Sequence, residues 1–377
     1  MTVEAPGVAV PDVETFRAEA IDFLRGHADA APRDYGAIMP PELRDEGVAW
    51  QRVLAEHGFA GIHRPVDLGG RGLTPEHQAV WLEECARAGV PPFLNMVGHV
   101  LAVGSLLRYG TDEQQQRWIP PTLAGEVVWC QLFSEPGAGS DLAGLSTKAV
   151  RDGDGWVVDG QKVWSSASRV SELGILLART DPDAPKHAGI SFFVIDMATE
   201  GVEPRPLRQM TGDAEFDEVF LTAAHLPDDA LLGPLHGGWG VAMSVLTDER
   251  GSIGASIISL ERRLAAMAGL GGDLDRVERE RLTALLTRGT TYQYVAQRQA
   301  AGASTASSLL KLGITELGFD QAELRVDLSG AEALLDGAAT TGLLAAPGGR
   351  IAGGSSQIQR NIIGERLLGL PKEPRPT

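Results

Sequence analysis

A change of hydrophobic period constrains the fold most. Between about Glu126 and Gly233 the chain breaks into short β-rich runs, "DGDGWVVDGQKVW", "LGILLART", "GISFFVIDM", "VEPRPLRQM" and "EFDEVFLTAAHLP", separated by Gly, Asp and Pro. No helical stretch intervenes, so the run predicts a compact barrel or sandwich and not the strand-helix alternation of a Rossmann unit. Asp154-Gly155 and Asp159-Gly160 read as hairpin turns.

On both sides apolar residues recur every three or four positions. Upstream lie "VETFRAEAIDFLRGHA", "PPELRDEGVAWQRVLAEHG", "TPEHQAVWLEECARAG" and "MVGHVLAVGSLLRYG", then a short helix capped by Thr111 and closed by prolines. Downstream, "VAMSVLTDERGSIGASIISLERRLAAMAG" and two further long periodic stretches suit a helix bundle. "LLDGAATTGLLAAPGGR" reads as a Gly/Ala-rich linker. The expected class is α+β, mostly α: an N-terminal helical domain (1–125), a central small β-barrel or sandwich domain (126–233) and a C-terminal four-helix-bundle domain (234–377).

The sequence of 377 residues is 43% apolar, enough for a substantial core, and 50 acids against 33 bases leave a net charge of −17. That balance works against nucleic acid and against adsorption on an anionic membrane, and no apolar run approaches the ~18 residues needed to span one. Cys85 and Cys130 form neither a disulfide framework nor a CxxC pair, and the N-terminus does not read as a signal peptide, so the expected setting is the cytoplasm. No metal-ligand spacing and no GxSxG elbow occur in the sequence.

Four stretches carry candidate chemistry. "FSEPGAGSDLAG" joins a strand to a loop whose glycines expose amides and whose Ser134 and Ser140 offer hydroxyls; by spacing alone it suits a phosphate or cofactor edge and a plain hairpin loop equally. "GQKVWSSAS" places Trp164 near a strand end, where the ring either stacks on a flat ligand or joins the core. In "RIAGGSSQIQRNII", Gly353 and Gly354 admit close approach to the backbone, and Ser355 or Ser356 can cap a helix starting near Gln357. Finally, Glu249 falls in line with Ala242, Val245, Leu246 and Ile253 on an apolar helical stripe. A carboxylate there is paired with a base from another helix or is put to use.

Taken in order, "FSEPGAGSD", "GQKVWSSAS", "LRQMTGDAEFDEVFL" and "GGSSQIQRNIIGERLLGLP" resemble the acyl-CoA dehydrogenase family over nearly the whole chain. The resemblance implies an FAD-dependent oxidoreductase of lipid metabolism, a tetramer built as a dimer of dimers, that introduces an α,β double bond into an acyl-CoA thioester and passes electrons to an electron-transfer flavoprotein. It implies that Gln131, Phe133, Ser134 and Ser140 touch the flavin, with Ser140 also facing the CoA chain. Trp164 and Ser166 then lie beside the isoalloxazine ring, and Ser355 and Gln357 hold FAD at a helix N-terminus. Arg250 matches an arginine on the substrate side.

Many family members carry the catalytic base as a Glu-Gly pair before the Ser or Thr of the C-terminal turn; here that slot reads Gly353-Gly354. Others place it on the first long C-terminal helix, just before the arginine, where Glu249 stands. The resemblance thus assigns α-proton removal to Glu249, with the β-hydride going to flavin N5 and the Gly353 N–H assisting the thioester oxygen. Two stretches that family homotetramers present to a neighbour's FAD, Arg-x-x-Phe-Gly and Gln-x-x-Gly-Gly, are replaced by "LDRVERERL" and "RVDLSGAEALL". Other residues, or a non-identical partner subunit, would then hold the adenine half. The alternatives are a non-catalytic subunit that completes a partner's FAD site, and a flavin oxidase or monooxygenase on the same fold.

Overall fold

The computed structural model describes residues 10–33, 39–251, 260, 264–269, 274–300 and 307–372, the side chains of 245–251 and 300 excepted. Its first helices begin where short polar side chains replace missing helical partners. Asp12 caps α1 (Val13–His27) by accepting from Thr15 N at 2.8 Å. Thr74 with His77 opens α3 (Pro75–Ala88), and Thr111 with Gln114 opens α5 (Asp112–Leu123). Between α1 and α3 lies α2 (Arg44–Glu56), whose Trp50 donates to Pro91 O at 2.8 Å. Trp81 of α3 donates to Pro92 O at 3.0 Å, so two buried indoles anchor the Pro91-Pro92 corner. Beyond it a π-helical turn (Val97–Ala102) runs into α4 (Val103–Tyr109).

The middle of the chain is one mixed sheet of seven strands: β1 (Trp129–Leu132), β2 (Lys148–Asp152), β3 (Gly155–Ser166), β4 (Leu173–Arg179), β5 (Ile190–Asp196), β6 (Val202–Leu207) and β7 (Phe216–Pro227). Its order is β1-β4-β2-β3-β7-β6, with β5 also on β4; β1 and β4 run parallel, and the β2–β3, β3–β7, β6–β7 and β4–β5 pairs are antiparallel. Apolar residues fill both faces of β4 and β5 because both faces are covered. On one side Ile175, Leu177, Phe192 and Val194 pack with Leu106, Trp118, Val241 and Ala242 of the helices. On the other, Leu176, Ala178, Phe193 and Ile195 meet Trp156, Val158 and Val219 as the sheet curls over itself.

Helices return as α6 (Gly238–Gly251), α7 (Arg276–Ala300), α8 (Ser307–Ser329), α9 (Ala338–Ile351) and α10 (Ser356–Ile362). The architecture is the mostly helical α+β class expected, with a curled sheet between two helical regions. Among the described residues, no helix is long and apolar enough to cross a membrane.

Two local expectations fail. Asp159-Gly160 is not a turn but lies inside β3, at a register shift between Val158 and Gly160. Glycine is needed there for space, since a Cβ at Gly160 would sit 2.3 Å from Thr147 Oγ1. The β2–β3 hairpin turns instead at Gly153-Asp154, with Asp152 paired to Gly155. The expected linker is mostly helix α9, which carries Pro347 inside it. Its alanines and leucines favour helix strongly enough to outweigh the glycines that suggested a linker.

Candidate functional site

Two sequence-distant segments meet at one end of the sheet. The chain leaves β1 through a tight turn in which Glu135 N donates to Ala138 O at 3.1 Å and Ala138 N returns a bond to Glu135 O at 3.0 Å. Gly137, Gly139 and Ser140 are left exposed. Nothing lies within 4 Å of where a Cβ on either glycine would sit, so a ligand has room to approach the main chain. Beside this turn runs the end of β3, tied to it by Val163 N donating to Ser134 O at 2.9 Å.

A buried ion pair reinforces that tie. Lys162, fully buried, donates from Nζ to Glu135 Oε1 at 2.8 Å and to Phe133 O at 3.2 Å. Glu135, also buried, further accepts from Ser146 N and Oγ at 2.7 Å each and from Thr147 N at 2.9 Å. Burial pushes the Glu135 carboxyl upward, but the Lys162 charge and these hydrogen bonds outweigh it and bring the group down to about 2. Burial lowers Lys162 to about 8, more than Glu135 can restore. At neutral pH both members are charged.

A β3–β7 register shift between Lys162 and Ser165 then throws Trp164 outward. Its φ is +60°, a strained value for an aromatic residue, and 56% of it is exposed, its ring meeting Phe216 edge-on at 5.9 Å. Ser166 is half-buried beside it. The following stretch is clamped by buried Asp217, which accepts from Ser168 Oγ at 2.8 Å, Arg169 N at 2.9 Å and Arg169 Nη1 at 2.5 Å.

The C-terminal turn is built separately on α8. Gly353 and Gly354 adopt φ of +63° and +93°. Gln359 Nε2 donates to Gly353 O at 3.1 Å and Lys311 Nζ to Gly354 O at 2.6 Å. Peptide planarity therefore directs the amides of Gly354 and Ser355 to the opposite side. Ser355 caps α10 by accepting from Ile358 N at 3.3 Å, while Ser356 Oγ donates to Glu316 Oε1 at 2.7 Å.

Comparison with known proteins shows the family. Residues 11–126, 130–223 and 277–368 match the N-terminal, middle and C-terminal domains of acyl-CoA dehydrogenase. Acyl-CoA dehydrogenase IpdE1 of Mycobacterium tuberculosis is 37% identical over 388 residues, 97% of this chain and 99% of that protein. The chain belongs to the acyl-CoA dehydrogenase family. Acyl-CoA dehydrogenase FadE34 of the same organism is 40% identical over 344 residues, 89% of this chain; the chain spans about half of that relative, 47%. Among solved structures, the Tcur3481-Tcur3483 steroid acyl-CoA dehydrogenase superposes with a TM-score of 0.81 at 25% identity, covering 99% of this chain and 100% of that one.

Within this acyl-CoA dehydrogenase fold the expected residues sit as follows. Ser134, Ser140, Trp164 and Ser166 gather around the β1–β3 junction, and Gln131 is half-buried on β1. Phe133 has its side chain in the core against Phe192 and gives its carbonyl to Lys162, so only its main chain is left to touch a ligand. Ser355 and exposed Gln357 stand at the start of α10. Glu249 and Arg250 fall on the last turn of α6, and their side chains lie outside the described residues. An exposed aromatic, free amides and nearby hydroxyls fit the ring and polar edges of a flavin.

Sequence reasoning missed Glu135, Lys162 and Asp217 as builders of this site. A signal existed for Lys162: it is in phase with inward-facing Trp156 and Val158 on β3, where a lysine requires a buried acid.

Proposed function

We propose that the chain is an FAD-dependent dehydrogenase that introduces an α,β double bond into an acyl-CoA thioester. The observation that carries this reading is the Lys162–Glu135 tie, which sets the exposed loop amides beside outward-turned Trp164. FAD would be held by the main chain and hydroxyls of Gln131–Ser140, by Trp164 and Ser166, and by Ser355 and Gln357 at the helix N-terminus. Bound there, FAD supplies the acceptor for the β-hydride.

The chain's own residues do the rest. Glu249, on the apolar stripe of α6, takes the α-proton, and the stripe keeps water from competing for it. Arg250 lies on the substrate side, and the turn amides, with Gly353 among them, polarise the thioester oxygen. The steroid-acting neighbour favours a bulky, fused-ring acyl group as the substrate. Its name joins two gene products, and this chain lacks the two partner-facing stretches; both favour a hetero-oligomer over a homotetramer. Electron-transfer flavoprotein is the acceptor in this reading, and the divisions 1–125, 126–233 and 234–377 are its three domains.

Anaerobic titration with acyl-CoA thioesters tests the assignment. The wild-type flavin should bleach, whereas Glu249→Gln should bind FAD normally and stay oxidised. Equal bleaching in the variant removes Glu249 from the role. Protein that purifies colourless and takes up no FAD refutes the cofactor assignment.

A further inference from the structure

The C-terminal turn is gripped by α8, and the grip sets which of its groups face outward. Gly354 is glycine of necessity: its φ is +93°, and a Cβ there would lie 2.7 Å from Gln359 Nε2. With Gly353 beside it, the peptide planes between residues 353 and 355 turn with little resistance, so contacts from elsewhere must choose their direction. Lys311 on α8 supplies one, its Nζ donating to Gly354 O at 2.6 Å. Further along the same helix, Glu316 supplies another by accepting from Ser356 Oγ at 2.7 Å. That hydrogen bond, with Arg350 at 2.9 Å and Arg360 at 3.6 Å, holds the Glu316 carboxyl below the usual carboxylate range. On the side away from α8, the N–H groups of Gly354 and Ser355 have no acceptor among the described residues.

A carbonyl held by an ammonium differs in two ways from one held by a neutral donor. The charge-assisted bond is roughly twice as strong, and it polarises the whole peptide, so the N–H at the far end becomes a better donor. We propose that Lys311 is a positioning residue of this site: it keeps the Gly354 carbonyl turned inward and thereby presents the Ser355 N–H, strengthened, to an oxygen that gains negative charge. The inference rests on the dehydrogenase reading above, in which the turn amides polarise the thioester oxygen. It traces their donor strength to a lysine bound at the opposite edge of the peptide. Without the ammonium, the Gly354–Ser355 peptide is free to rotate and to offer its carbonyl outward, where it repels the oxygen that the N–H would have held.

The test uses the FAD-loaded protein and a 3-oxoacyl-CoA thioester, an acidic probe that gives up its α-proton without passing hydride to the flavin. Absorbance of the bound enolate reports how well its oxygen is held. Lys311→Met should leave about ten- to a hundredfold less enolate at a given pH and slow flavin bleaching by a saturated acyl-CoA about a hundredfold, while the dissociation constant of the saturated thioester changes about threefold or less. Lys311→Arg should recover most of the enolate, since it returns a charged donor. Unchanged enolate and bleaching in a folded Lys311→Met protein overturn the proposal. So does a variant that melts lower and sheds FAD while its loaded fraction ionises the probe as wild type does, which marks a purely structural lysine. Should Lys311→Met fail to fold, Lys311→Gln, a neutral donor, is compared with Lys311→Arg, and equal enolate in the two overturns the proposal. Wild-type protein that ionises no probe and bleaches with no thioester refutes the dehydrogenase reading instead. Crystal structures of wild type and Lys311→Met then decide the role of Lys311: a Gly354 carbonyl turned outward in the variant upholds it, and one still inward overturns it.

Discussion

Replacing Lys162 by Met isolates what the buried ion pair does. Methionine matches the length of the lysine stem and keeps the inward position on β3 filled, so the main change is loss of one charge beside Glu135, whose side chain is 4% exposed. Removing one member of a buried pair typically costs about 3–5 kcal/mol, because the remaining charge is left uncompensated. Three donors, Ser146 N, Ser146 Oγ and Thr147 N, stay on Glu135 and place the expected loss at the lower end, about 3 kcal/mol.

The pH dependence carries the sharper test. In wild type the Glu135 pKa is depressed to about 2, below the unfolded value, so its stabilisation is complete above the unfolded pKa and is lost as pH falls toward 2. Without Lys162 its lowering charge is gone and burial lifts the folded pKa from its wild-type value. The folded variant then binds the proton more readily than the folded wild type, and its stability deficit narrows as pH drops from 7 to 5. Chemical denaturation followed by tryptophan fluorescence across that range measures the deficit. The double variant Glu135→Gln/Lys162→Met should lose less than the two single losses added together. A Lys162→Met protein as stable as wild type at pH 7, or one with a pH-independent deficit, refutes the reasoning.

Two further outcomes test the frame around the site. Gly160→Ala should cost about 1–3 kcal/mol in denaturation midpoint analysis, since its Cβ would lie 2.3 Å from Thr147 Oγ1 and 2.8 Å from Thr147 Cα; an unchanged midpoint would mean that β2 and β3 separate freely there. Ser355→Ala should lose about 1 kcal/mol of helix capping and weaken FAD retention on dialysis, while Ser355→Thr should keep both.

Much of this was legible in residue order. Thr111 and Ser355 are capping residues whose effect spans three positions, so the sequence exposes them directly. The shift from helical to strand period located the sheet, and the four quoted stretches carried the family. Asp159-Gly160 misled because a glycine required by a neighbouring strand looks the same in sequence as one required by a turn. The Ala-rich stretch before the C-terminal turn misled because glycine count obscured helix propensity.

The sequence alone determined where the main helical and strand-rich regions lie and which stretch can expose amides, since period and turn chemistry are written in residues a few positions apart. Tertiary structure decided the rest: that Lys162 meets Glu135 across 27 positions, that Asp217 closes on Ser168 across 49, and that Trp164 turns outward. Period records which face a side chain takes, but the energy of a buried charge depends on what another part of the chain brings within about 3 Å of it.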